Sequence, residues 1–220
     1  MTKKNKITIA SILFIIISII DIYAVIAENQ LLEIIFKPLL MTCLAVVYLV
    51  SVKKPNFWFI SALFFSFWGD VFLLFKEEFF VFGLASFLAA HILFIKITSA
   101  FIKKPALSKV IISAIPFVVF LFSLLYLIKS NLGEMMIPVI VYGITISSFG
   151  AVAFLNYITN KSIENGWLFL GTIIFIASDS LIAINRFYEP NAMYGVVIMT
   201  TYIVAQYLIC KAMIVKNSYQ

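Results

Sequence analysis

The sequence predicts an all-α fold: a polytopic transmembrane bundle of about eight helices with both termini cytoplasmic. Three observations carry that expectation. Of the 220 residues, 64% are hydrophobic and 12% charged, with a mean hydropathy of +1.11, whereas a soluble domain carries about 25% charged residues. The apolar residues fall into runs of about 20, the length that crosses ~30 Å of hydrocarbon at 1.5 Å per residue. The lysines collect in the short connections between runs instead of forming one basic face, which is the pattern of topology control and not of nucleic-acid binding. Helices are expected because backbone groups cannot stay open toward lipid, and because the runs are too long and too uniformly apolar to alternate as barrel strands.

The eight spans fall in order. The first, at about 7–26, exceeds a signal-peptide core and has no clear small-residue cleavage site, so it reads as a membrane helix. The second, at about 31–52, carries Glu33, Lys37 and Pro38; the third, at about 57–75, carries Asp70. Stretches such as Ile12 to Ile20 and Phe57 to Phe67 have no polar face and suit lipid or neighbouring helices. The fourth, at about 79–102, holds His91 and Lys96, and the fifth, at about 110–128, holds Pro116. The sixth, at about 135–157, places Gly143, Ser147 and Ala151 four residues apart, a stripe that lets helices approach closely. The seventh, at about 167–186, contains Asp179 and ends on Arg186; the eighth, at about 193–213, contains Gln206. No repeat or long linker divides the chain, so residues 1–220 read as a single membrane domain.

Charge sets the orientation. One side receives Lys3, Lys4, Lys6, Lys53, Lys54, Lys103, Lys104, Lys109, Lys161, Lys211 and Lys216, and the other only Lys76, Lys129 and Arg186. That bias puts both termini in the cytoplasm and favours an even number of spans. Glu28, Glu77, Glu78, Glu134 and Glu189 then fall outside.

Ionisable groups inside the hydrocarbon region cost several kcal/mol each, so those in a chain this apolar need a partner or a task. Asp70 and Asp179 lie in the outer parts of their spans, Glu33 and Lys37 at the outer start of the second, and His91 nearer the midplane. Five groups from four helices could share one cavity reached from the outer leaflet. Glu33 and Lys37, four residues apart, also suit a plain buried ion pair. Asp179 and Arg186 are two turns apart on one face. Lys96 is expected to snorkel to the cytoplasmic surface and Asp21 to cap a helix or face the outer interface. A satisfied structural histidine explains His91 as well as a functional one does, and a lone histidine without a thiolate partner makes a metal site unexpected. Cys43 and Cys210 sit inside apolar runs with no disulfide or metal spacing, and no cofactor is implied. Asp70 and Asp179 differ from the rest: each has small or hydroxylated neighbours that admit a ligand or water, in Ser66-Phe67-Trp68-Gly69-Asp70 and Ser178-Asp179-Ser180. Two carboxyl groups in a poorly solvated site can divide into acid and base, which suits hydrolysis.

Several segments together resemble the YhhN family of membrane proteins, whose eukaryotic relatives are lysoplasmalogenases. They are Lys37-Pro38-Leu39-Leu40-Met41, Gly69-Asp70 with Val71-Phe72-Leu73-Leu74, Gly83-Leu84 through Phe87 to His91, and Ser178-Asp179-Ser180-Leu181-Ile182-Ala183-Ile184-Asn185-Arg186-Phe187, followed by Thr201-Tyr202 and Ala205-Gln206. The resemblance implies an eight-helix hydrolase of an inner membrane that adds water across the vinyl ether of a lysophospholipid substrate, releasing a fatty aldehyde and a glycerophospho-choline or -ethanolamine. Asp70 and Asp179 match its catalytic pair. His91, Asn185, Tyr202 and Gln206 would orient water or substrate, Lys37 and Arg186 would bind the phosphate, and Glu33 and Ser180 would line the substrate site. The competing expectation is a small proton-coupled transporter using the same buried carboxylates, which predicts broken helices in matching halves. A purely structural subunit leaves the carboxylates unexplained.

Overall fold

The computed structural model describes residues 2–218, except for the side chains of Lys76, Glu77 and Ser218. Met1, Tyr219 and Gln220 of the expected domain, and the Lys76 and Glu77 side chains counted above, therefore lie outside the described set. Among the described residues there are eight α-helices and no strand: α1 (Lys3–Ile26), α2 (Gln30–Ser51), α3 (Phe57–Leu74), α4 (Lys76–Ala100), α5 (Leu107–Ile128), α6 (Met136–Thr159), α7 (Ile163–Phe187) and α8 (Ala192–Ser218). All eight are long and apolar enough to cross a membrane. An even number of crossings returns the C-terminal end to the N-terminal side.

Polar residues in the connections start the helices. Thr2, Asn29, Asn56 and Ser162 each accept a hydrogen bond from a first-turn backbone N–H of α1, α2, α3 and α7, satisfying donors that a helix start leaves open. Several helices outrun their hydrophobic spans: α1 begins at Lys3 and α8 continues to Ser218, because lysine-bearing turns extend beyond the apolar core. At this end Lys96 lies 3.2 Å from the Trp58 ring centroid and Lys211 3.9 Å from that of Trp167, long side chains reaching back to an aromatic face. The Asn217 amide donates to the Tyr48 hydroxyl and the Lys54 carbonyl, tying α8 to the α2–α3 connection.

The helices pack chiefly as consecutive antiparallel pairs, α7 with α8 and α3 with α4 most extensively, then α1 with α2 and α5 with α6. Pairs are joined through α4–α6, α2–α3, α6–α7 and α1–α8. Without a hydrophobic drive between helices in lipid, close approach does this work. A Cβ at Gly171 would sit 3.0 Å from the Ala205 carbonyl, so α7 and α8 nearly touch backbone to backbone there. In α6, Gly143 packs on Leu121 of α5 and Ala151 lies against the core. The core is aromatic: Phe59, Phe94, Phe149 and Phe175 are essentially buried. Ile12, Ile16 and Ile19 of α1 and Ile115, Val119 and Phe122 of α5 are exposed, as lipid-facing side chains must be.

Candidate active site

Helix direction determines which residues can meet. The end of α1, the start of α2, the end of α3, the starts of α4 and α8, and the end of α7 all lie at the bundle end opposite the termini. A cavity of about 120 Å³ opens there, lined among others by Glu33, Lys37, Asp70, Asp179, Asn185, Arg186 and Tyr202. Val25, Phe80, Phe87, Ile182, Gly195, Ile198 and Met199 supply apolar wall. A second cavity of about 50 Å³, lined by Leu84, Val139, Tyr142, Ala183 and Phe187, shares Leu73, Phe80, Phe87, Asp179 and Ile182 with the first. Asp179 thus faces both.

Each aspartate is held by a tyrosine hydroxyl. Tyr202 of α8 donates to Asp70 Oδ2 of α3 at 2.8 Å, and Tyr142 of α6 donates to Asp179 Oδ2 of α7. Behind Tyr202, the Gln206 amide donates to Ser66 Oγ at 3.2 Å and to the Tyr202 hydroxyl at 3.5 Å. Asp70 is 2% exposed, while Asp179 is half-buried. Gly69 makes the packing beside Asp70 possible, since a Cβ there would lie 2.5 Å from the Phe87 ring. Phe87 then stacks edge-on against Tyr202, 5.9 Å between centroids. Ser178 donates to the Ile198 carbonyl at 2.9 Å, pinning α7 to α8 next to Asp179.

At the mouth, the Arg186 guanidinium lies 4.1 Å from the Phe80 ring centroid. Asn185 Oδ1 accepts from the Asn191 N–H at 2.8 Å, ordering the α7–α8 connection beneath the cavity. Lys37 lies near enough to act electrostatically on both Asp70 and Asp21.

Several expectations are corrected. His91 does not line the cavity. It is fully buried in an aromatic box of Phe94, Tyr142, Phe149 and Phe175, and the Phe87 carbonyl one turn back stands near it without completing a hydrogen bond. It lies one turn past Phe87 on the same face of α4, a layer deeper than the cavity, where it packs against α6 and α7. Ser180 directs its hydroxyl to the Ile176 carbonyl of its own helix and lines neither of these two cavities. Gln206 stands behind Tyr202, one layer removed. Glu33 and Lys37 both reach the cavity, yet among the described residues no ion pair joins them. Asp21 neither caps a helix nor faces an interface, being fully buried between α1 and its neighbours. Tyr142 escaped the sequence reading, its sole signal being a phenol in mid-span that must find a hydrogen-bond partner.

The YhhN family model matches residues 32–213. The chain belongs to the YhhN family. Proteins named lysoplasmalogenase from Mycobacterium bovis and Mycobacterium tuberculosis are each 32% identical to it over 163 residues, 72% of this chain. The matched stretch spans 60% of the length of those relatives. No solved structure matches. Family membership and eight membrane-length helices make this chain a multi-pass integral membrane protein. The matched region contains every residue named in the cavity wall except Val25 of α1.

Proposed function

We propose that this YhhN protein hydrolyses the vinyl ether bond of an alkenyl-lysophospholipid, with Asp70 and Asp179 as the acid–base pair. The observation that carries the reading is that two carboxyl groups from different helices, α3 and α7, face one cavity, each held by a tyrosine. The relatives named lysoplasmalogenase support the substrate class.

Vinyl ether hydrolysis begins with protonation of the alkene carbon remote from oxygen, forming an oxocarbenium-like cation. Water captures that cation, losing a proton, and the resulting hemiacetal collapses to an aldehyde and a free glycerol hydroxyl. One aspartate delivers the first proton; the other, ionised, stabilises the cation and accepts the proton of the attacking water. The Tyr142 and Tyr202 hydroxyls hold the two carboxyl groups in orientation. Lys37 and Arg186 bind the phosphate at the mouth, where a guanidinium suits a phosphodiester's paired oxygens. Phe80, Phe87 and Met199 accommodate the beginning of the alkenyl chain. The smaller cavity behind Asp179 suits the water, since Tyr142 and Asp179 give it polar partners within an otherwise apolar pocket. The lysine bias supports an orientation with both termini in the cytoplasm and the mouth toward the outer leaflet.

The test incubates purified protein with alkenyl-lysophosphoethanolamine and follows free aldehyde in the wild type, Asp70→Asn and Asp179→Asn. Wild-type release with losses of about 10²–10⁴ in each variant is expected. Equal release from all three overturns the two-carboxylate mechanism, and none from the wild type overturns the substrate.

A further inference from the structure

Two carboxyl groups at the cavity are left idle by this mechanism, Glu33 in its wall and Asp21 beside it, and Asp21 is the buried one. It sits on α1, upstream of the region matching the family model. Its side chain is 0% exposed, and neither carboxylate oxygen has a hydrogen-bond partner. Ser18, one turn earlier, cannot serve it, because that hydroxyl donates to the Phe14 carbonyl at 2.7 Å. One turn later Val25 lines the cavity, so Asp21 lies just behind the wall. A buried carboxyl group without hydrogen bonds is among the costlier arrangements a membrane helix can hold, and it calls for a countercharge. Charged groups near enough to act on it are Lys37 and Glu33 of α2, the helix that packs against α1.

Lys37 has the complementary difficulty. It is an ammonium on a membrane helix, half-buried, and among the described residues it has no ion-pair partner. Asp21 and Asp70 both lie close enough to Lys37 to interact with its charge. With Asp70 alone, the ammonium would be drawn onto a carboxyl group needed for proton transfer.

We propose that Asp21 is a positioning residue that holds the Lys37 ammonium at the cavity wall from behind, keeping it off Asp70 and available to the phosphodiester of the ligand. The inference deepens the functional reading above, from which it takes the phosphate as ligand. Its test follows binding, so it stands apart from whether the vinyl ether is cleaved.

The probes are a saturated alkyl-lysophosphocholine, which has no vinyl ether to cleave, and the matching alkylglycerol, which has no phosphate. Binding to the purified full-length protein and thermal unfolding are measured for wild type, Asp21→Asn, Lys37→Gln and the double variant. Expected is about tenfold weaker binding of the phosphorylated probe by either single variant, no further loss in the double, and unchanged alkylglycerol binding. Wild-type affinity in Asp21→Asn, or losses that multiply in the double variant, would overturn the proposal. If Asp21→Asn alone is too unstable to purify, the double variant decides: recovery of a folded protein supports the coupling, because removing both partners spares the charge that one removal strands. Persistent misfolding shows Asp21 to be structural only, and sinks it. Absence of aldehyde from the wild type with the binding pattern intact would count against the hydrolase reading alone.

Discussion

Replacing Tyr202 by phenylalanine removes one hydroxyl and leaves the ring. That ring is fixed by edge-on contacts with Phe87 and Phe175, at centroid separations of 5.9 and 5.5 Å, so the variant should keep the packing of α8 against α4 and α7. What it loses is the 2.8 Å hydrogen bond to Asp70 Oδ2, made where Asp70 is 2% exposed and water cannot easily replace it. A hydrogen bond to a charged group contributes about 1.5–3 kcal/mol, and stranding its buried partner costs on the same order. If the bond orients Asp70 for proton transfer, the loss appears as a fall in kcat of about 10–150-fold, at roughly tenfold per 1.4 kcal/mol. KM should change little, because Tyr202 is not among the charged groups at the mouth. The assay is aldehyde release under saturating alkenyl-lysophospholipid, with thermal unfolding measured on the same preparations. A normal kcat with a lowered unfolding midpoint would show that the bond is structural and that Asp70 needs no orientation. A normal kcat with a normal midpoint would refute the energetic argument outright.

Other substitutions separate the cavity from its scaffold. A Cβ at Gly195 meets only Val25, at 3.4 Å, so Gly195→Ala should fold and turn over near wild type, whereas Gly195→Leu fills the wall of the larger cavity and should abolish probe binding. Ala183→Leu, which fills the smaller cavity behind Asp179, should lower kcat in the aldehyde assay while leaving KM near wild type. Gly171→Val drives a side chain into the Ala205 carbonyl and should destabilise by about 1–3 kcal/mol in a reversible unfolding assay. Asn165→Ala removes the acceptor that Asn156 meets at 2.8 Å and the donor that meets the Asn160 carbonyl at 2.7 Å; it should cost about 1–3 kcal/mol of stability, with KM unchanged, because the pair sits at the far end of the bundle.

The membrane helices were legible because the bilayer imposes a simple rule, a minimum apolar length, which each of the eight runs meets. Their ends were less legible: α1 and α8 outrun their hydrophobic spans because helices continue into lysine-bearing turns that hydropathy alone treats as loop. Asp70 and Asp179 stood out because an intramembrane carboxyl group is expensive wherever it points. Direction was the harder problem. His91 and Lys37 look equivalent in sequence, both ionisable and inside spans of the candidate site, yet His91 falls a turn too deep on α4 and enters an aromatic box while Lys37 reaches the cavity. Tyr142 was silent because a phenol in an apolar helix resembles any other aromatic until its hydroxyl has a partner. Asp21 reads as an interfacial residue from its depth, whereas the packing of α1 against α2 and α8 leaves it fully buried.

Hydrolysis inside a bilayer must bring together a lipid tail and a water molecule that would otherwise never share a solvent. The two cavities meeting at Asp179 offer a physical route to that encounter. The larger has two basic residues, Lys37 and Arg186, where a headgroup would rest, and an apolar wall that includes Phe80, Phe87 and Met199. The smaller is lined by one carboxyl group, Asp179, and one hydroxyl, Tyr142, in otherwise apolar surroundings, so a water held there would have both as hydrogen-bond partners. A tyrosine on each aspartate is then more than a spacer. In a low-dielectric site a misdirected carboxyl group has no bulk water to correct it, so its orientation must be built in by a fixed donor. The donors come from α6 and α8 and the carboxyl groups from α7 and α3, so four helices must be in register before either aspartate can act.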